Sequence, residues 1–143
     1  MADPVPTHQD ALVLLELYHL SQTPHMREAR EFVDQVIARK LAELGEEESG
    51  VEWYRREIPP GSRQDAWFRQ VLGFWNMVGA LVKTGCLHPE VLFESTSEFY
   101  RLWKAVAPLA EKLRESCDPL YLSNLEWLAR EYEDYREKRR RPR

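Results

Sequence analysis

Glu16 and His19 stand three residues apart in Glu16-Leu17-Tyr18-His19. That spacing puts a carboxylate and an imidazole on one face of a helix. A di-metal helical bundle needs two such motifs and two further carboxylates. His8, His25 and His88 have no acid three positions before them, so the second half of such a site is missing. Cys86 and Cys117 stand far apart, with no Cys-x-x-Cys and no Cys/His cluster, which leaves no zinc spacing. Cys86 follows a helix C-terminus, where the negative end of the dipole raises rather than lowers a thiol pKa. It reads as a small buried residue completing a glycine cap. Gly-x-Ser-x-Gly, Gly-x-Gly-x-x-Gly and phosphate-loop motifs are absent. The expectation is a protein without catalytic residues, cofactor or metal.

Three other groups of residues could carry a function. Asn76 is polar within the most apolar stretch, and Glu126 sits between Leu125 and Trp127. If buried, each needs partners, because an unpaired polar group costs about 1–3 kcal/mol. The plain reading is an interhelical hydrogen bond. The sharper one is a polar anchor in a small-molecule pocket lined by Trp75 and Trp127. Trp53-Tyr54-Arg55-Arg56 combines the residue types that dominate binding hot spots; its alternative is a short segment that plugs the core. The third group is the C-terminal run Arg136, Lys138, Arg139, Arg140, Arg141 and Arg143, with Glu137 as its single anion. It is either a solvated tail or an electrostatic arm for phosphate backbones or an acidic surface.

The elements that must position these residues are helical. The chain of 143 residues holds 18 Leu and 11 Ala but only two Ile, a helix-forming balance. Its formal charge is −4. Residues 1–135 carry −9 and the last eight +5, so the body argues against nucleic acid and the tail does not. The longest apolar stretch, Ala11 to Leu20, is interrupted by Glu16 and His19 and falls short of the about 20 residues of a membrane span. The expectation is a soluble, cytoplasmic protein.

Thr7 with Asp10 caps a first helix whose many apolar positions imply burial on more than one face. Thr23-Pro24 starts a second, which Gly45 stops. The two form an antiparallel hairpin over residues 7–44. A connecting segment, 45–62, holds a two-turn helix from Gly50 to Glu57. A helical core, 63–135, follows. Its central apolar helix opens at Ser62 and Asp65 and ends at Gly85, and Gly73 and Gly79 inside it suggest close approach of a neighbour. His88-Pro89-Glu90 starts a short helix, and Ser95 with Glu98 caps the next, which contains Pro108. Tyr121, Leu125, Leu128, Tyr132 and Tyr135 form a narrow seam on the last helix, which faces the core or a second copy of the chain. The whole reads as one all-α bundle of about six or seven helices over 1–135, with a basic tail at 136–143.

The run from Val71 through Gly85, the stretch Trp103 to Leu113 around Pro108, and Glu126-Trp127-Leu128 together resemble a bacterial all-helical family catalogued as domain of unknown function 4760. In that family an aromatic helix ends at Gly, a short Leu-x-Pro-Glu-x-Leu helix follows (Leu87 to Leu92 here), and then a Trp-containing helix with Pro. The resemblance spans roughly Gln64 to Tyr132. It implies the fold and brings no activity with it. The functional expectation is therefore a non-enzymatic protein-interaction or regulatory module centred on Trp53 to Arg56. Nucleic-acid or acidic-surface binding through the tail and a small-molecule pocket near Asn76 and Glu126 are the alternatives.

Overall fold

The structure is a computed structural model that describes residues 5–45 and 48–140. All regular structure among these residues is helical: α1 (His8–Ser21), α2 (Pro24–Phe32), a π-helical stretch π1 (Val33–Ala38), α3 (Arg39–Glu43), α4 (Gly50–Glu57), α5 (Arg63–Lys83), α6 (Pro89–Ser95), α7 (Glu98–Ser116) and α8 (Ser123–Arg140). Because α2, π1 and α3 run on without a break, they form seven rods in one all-α bundle. None of the described helices is long and apolar enough to cross a membrane.

Most starts follow from short polar side chains that accept the unpaired N–H groups of a first turn. Thr7 accepts from Asp10 in a reciprocal capping box, Thr23 from Met26 ahead of Pro24, Ser49 from Glu52, and Ser62 from Asp65. His88 does the same for α6, its Nδ1 accepting from the Glu90 N–H at 3.1 Å. The Asp10 carboxylate also accepts from the His88 backbone N–H at 2.8 Å, which ties α1 to the loop before α6. Its hydrogen bonds from the Thr7 and His88 backbones hold its pKa below the ordinary carboxylate value. Gly85 ends α5 at φ 85°, and the Cys86 and Leu87 N–H groups close onto the Leu81 carbonyl.

α5 is the hub. It buries Phe68, Val71, Leu72, Trp75, Val78 and Val82 along one stripe, and its most extensive packing is against α8 and α2. α8 turns Leu125 and Leu128 fully inward and packs Tyr132 and Tyr135 against the same core. The aromatic seam of the last helix therefore faces the core. α7 continues through Pro108, which lies exposed.

Several expectations are corrected. α1 buries only Leu17 and Ser21; its second apolar face stands open. It rests on α6 as well as α2. Ser95 does not cap α7: it is the last residue of α6, where its hydroxyl donates to the Val91 carbonyl at 2.6 Å. α7 instead starts after Ser97, with Thr96 accepting from the Glu98 N–H. Gly79 meets a neighbouring backbone, but Gly73 is exposed with nothing within 4 Å of where a Cβ would lie. Cys86 is exposed rather than buried.

Candidate functional site

α1, α5 and α6 leave an apolar cleft of about 450 Å³ between them. Leu14, Leu17 and Tyr18 form one wall, Phe74, Trp75 and Val78 another, and Leu92 closes α6's side. The Trp75 indole Nε1–H is buried and has no acceptor among the described residues, an unusual condition for a buried donor. The polar end of the cleft is built by Arg30 of α2. Its guanidinium donates to both carboxylate oxygens of Glu98, at 3.0 and 2.9 Å, and to the Ser21 carbonyl at 2.9 Å. This two-pronged pair neutralises both groups and joins the end of α1 and the last turn of α2 to the start of α7.

A second cleft, of about 510 Å³, lies beyond that pair and shares Gln22, Arg30 and Glu98 with the first. Its lining is charged: Arg27 and Arg101 against Glu31 and Asp34, with Val33 and Ala38 of π1 along one side. A π-helical turn inserts backbone into an α-helix and re-aims the side chains beyond it. Here it keeps both Val33 and Ile37 in the core.

The outer face of α1 continues the apolar wall to the surface. Leu12 is 61% exposed, Leu15 55% and Tyr18 59%. Leu15 and Tyr18 border the cleft as well. At 100° per residue, these three and Ala11 fall within an arc of about 120° that also holds His8 and His19, with Leu17 on the opposite side.

The residues singled out in the sequence are dispersed. Trp53 and Tyr54 are buried, 5% and 7% exposed, because α4 turns its aromatic side inward. Tyr54 packs its ring at a tilt against Phe68, centroids 4.9 Å apart, and donates its hydroxyl to Asp65 at 2.7 Å. Burial, and then the Asp65 carboxylate, push its phenol pKa far up, so it remains a protonated structural donor. Arg55 donates to the Ser116 hydroxyl at 3.0 Å, and Arg56 pairs with Glu48 and Glu57. Both aromatic side chains of α4 are thus buried, and both arginines are engaged, Arg55 by α7 and Arg56 by acids near it in the chain.

Asn76 Oδ1 accepts from the Leu125 backbone N–H at 3.0 Å. It thereby caps the first turn of α8 from a different helix. Asn76→Ala is expected to cost about 1 kcal/mol, the ordinary loss for a helix cap. Urea denaturation measures it; an unchanged midpoint would show that water replaces the cap at no cost. Glu126 pairs with Arg114 at 3.3 Å and Arg130 at 3.5 Å. The apolar cleft is lined by other residues than Asn76 and Glu126, and of the two tryptophans assigned to a pocket it takes only Trp75. Trp127 lies under Lys83. Arg136, Lys138, Arg139 and Arg140 are helical, an extension of α8 rather than a separate tail, and Arg139 pairs with Glu94. Arg141 and Arg143 lie outside the described residues.

Glu16 and His19 share the solvent side of α1, both exposed, and no three His, Cys, Asp or Glu side chains gather to hold a metal among the described residues. The residues that sequence reading missed are Arg30 and Glu98, 68 positions apart. Only an Arg within an otherwise amphipathic helix hinted at one of them.

No curated protein and no solved structure matches this chain. A family model, Domain of unknown function (DUF4760), matches residues 6–132. That span contains α1 through α7 and the first half of α8, so both clefts and the Arg30–Glu98 pair fall inside it. The chain belongs to the DUF4760 family.

Proposed function

We propose that the protein is a non-enzymatic interaction module in which α1 and the apolar cleft beside it receive an amphipathic helix of a partner protein. The carrying observation is the exposure of Leu12, Leu15 and Tyr18 at helical spacing, next to a cleft deep enough for a bulky side chain. Exposed apolar patches of this kind mark interaction sites. Ridges spaced three and four residues apart suit packing by another helix. The Arg30–Glu98 pair is already neutral, so the occupant needs an apolar face more than a charge.

A photo-crosslinking residue placed at Leu15, with one at Glu133 as the control, tests this reading. The Leu15 probe is expected to yield an adduct with one partner that the Glu133 probe does not give. Tyr18→Glu is expected to weaken that association at least about 30-fold, the effect of losing one hot-spot aromatic. Equal adducts from both probes would overturn the proposal. So would adducts consisting only of a second copy of the chain.

A further inference from the structure

We propose that α7 and the end of α8 form a binding site for the phosphate backbone of single-stranded nucleic acid, centred on Lys104, Tyr100 and Arg136. The two helices bring cations and rings into one row. Lys104 Nζ lies 5.8 Å from the centroid of the Tyr100 ring and Arg136 Cζ 5.3 Å from the same centroid. Arg136 also lies 5.9 Å from Tyr132; Arg139, 5.5 Å from Tyr135, ends the row, its charge taken by Glu94, which also accepts from the Tyr135 hydroxyl. The rings themselves are joined, Tyr100 to Tyr132 at 5.1 Å and Tyr132 to Tyr135 at 6.2 Å.

Lys104 and Arg136 therefore stand no more than about 11 Å apart, near one Debye length at physiological salt. Among the described residues neither is within ion-pair distance of a carboxylate. Two cations held against one ring offer a phosphate group two charged donors. Guanidinium stacked on a ring keeps its N–H edge free for a phosphate oxygen. Arg101 and Arg140, both exposed, lie within about 60° of Lys104 and Arg136 on their helices, whereas Lys138 lies on the far side of α8.

Alternation of cations with aromatic rings is the composition of a single-strand groove. A bilayer suits it less. Among the described residues the exposed large apolar ones are Val5, Leu12, Leu15, Tyr18, Leu20, Val36, Met77 and Leu120, and none lies on α7 or α8, so the row has no such residue to insert. Residues 1–135 carry −9 overall, and a flat anionic surface would meet more of that charge than a flexible strand does.

The test is fluorescence anisotropy of the full chain with a labelled oligo-uridine RNA about 20 nucleotides long, over a salt series. The wild type is expected to bind, with log K falling against log salt at a slope of about −0.7 per phosphate contacted. The Lys104→Ala/Arg136→Ala double variant is expected to bind at least about tenfold more weakly. Arg63→Ala is the control, its guanidinium sitting over Trp67 elsewhere on the surface. Circular dichroism checks folding, and the single Lys104→Ala variant, at an exposed position, serves if the double variant unfolds. The proposal fails if RNA is ignored at low salt, or if the Lys104 and Arg136 variants bind like the wild type. It also fails if removal of residues 141–143 alone abolishes binding, or if phosphatidylserine vesicles are bound while RNA is not.

Discussion

Gly79→Ala and Gly73→Ala are expected to change stability in opposite directions, although both lie in α5. Each exchange removes a helix-weakening glycine, worth up to about 1 kcal/mol in favour of Ala. At Gly73 nothing lies within 4 Å of the added carbon, so that gain is kept. At Gly79 the new Cβ would stand 2.4 Å from the Asn124 carbonyl oxygen and 2.8 Å from its carbon. Those are backbone atoms, and they cannot turn aside as a long side chain can. The start of α8 is fixed on both flanks: Asn76 holds the Leu125 N–H, and Arg114 donates to the Tyr121 carbonyl at 2.7 Å. Leu122 between them sits at φ 58°, the left-handed region that few side chains occupy. α8 must therefore move as a unit, at a net cost of about 1–3 kcal/mol. Thermal denaturation of the two variants beside the wild type decides the matter. Two stabilised variants would mean that α8 does not cross α5 at Gly79.

The same crossing shows what was legible in the sequence. Caps at Thr7, Thr23, Ser49 and Ser62 could be read because each depends on a contact three residues away. So could the glycine stop at Gly85 and the apolar stripe of α5. Periodicity reports that a residue is apolar and not which neighbour covers it. α1 therefore looked buried on several faces, while the structure covers only one. Ser95 looked like a cap because its spacing to Glu98 is right, yet it is the last residue of α6 and donates its hydroxyl to the Val91 carbonyl one turn back. The sequence allows Tyr54 to be presented or buried; its burial depends on Phe68 and Asp65, 14 and 11 positions away. The candidate site was the least legible part. The Arg30–Glu98 pair and the Tyr100–Arg136 stack join residues from different helices, and no local pattern encodes such pairs. Asn76 was legible as a polar residue needing a partner, and the partner is a backbone N–H that any side chain at position 125 would offer.

Phe99→Ala is expected to be among the most damaging single substitutions, lowering stability by about 3–5 kcal/mol, the usual range for deleting a buried phenyl ring. Phe99 is fully buried and belongs to α7, but its ring meets three other helices. Trp75 of α5 lies at 5.8 Å, Phe93 of α6 at 5.8 Å and Tyr132 of α8 at 5.3 Å, the last edge-on. An alanine there leaves a void that no one helix can fill, because each is fixed elsewhere: α6 by His88 on Asp10, α8 by Asn76, and α7 by Glu98 on Arg30. A domain of ordinary stability has about 5–15 kcal/mol in total, so the loss is a large part of it. At about 2–4 °C per kcal/mol for a chain of this size, Tm should fall by roughly 6–20 °C. Phe99→Leu retains most of the volume and should cost less. The Phe99→Ala/Tyr132→Ala double variant should cost less than the two single changes added together, since both remove the same ring contact. Full additivity would separate α7 from α8 at that point. It would also undo the arrangement on which the row of Tyr100, Tyr132 and Arg136 depends, because Tyr132 meets both the Phe99 ring and the Arg136 guanidinium.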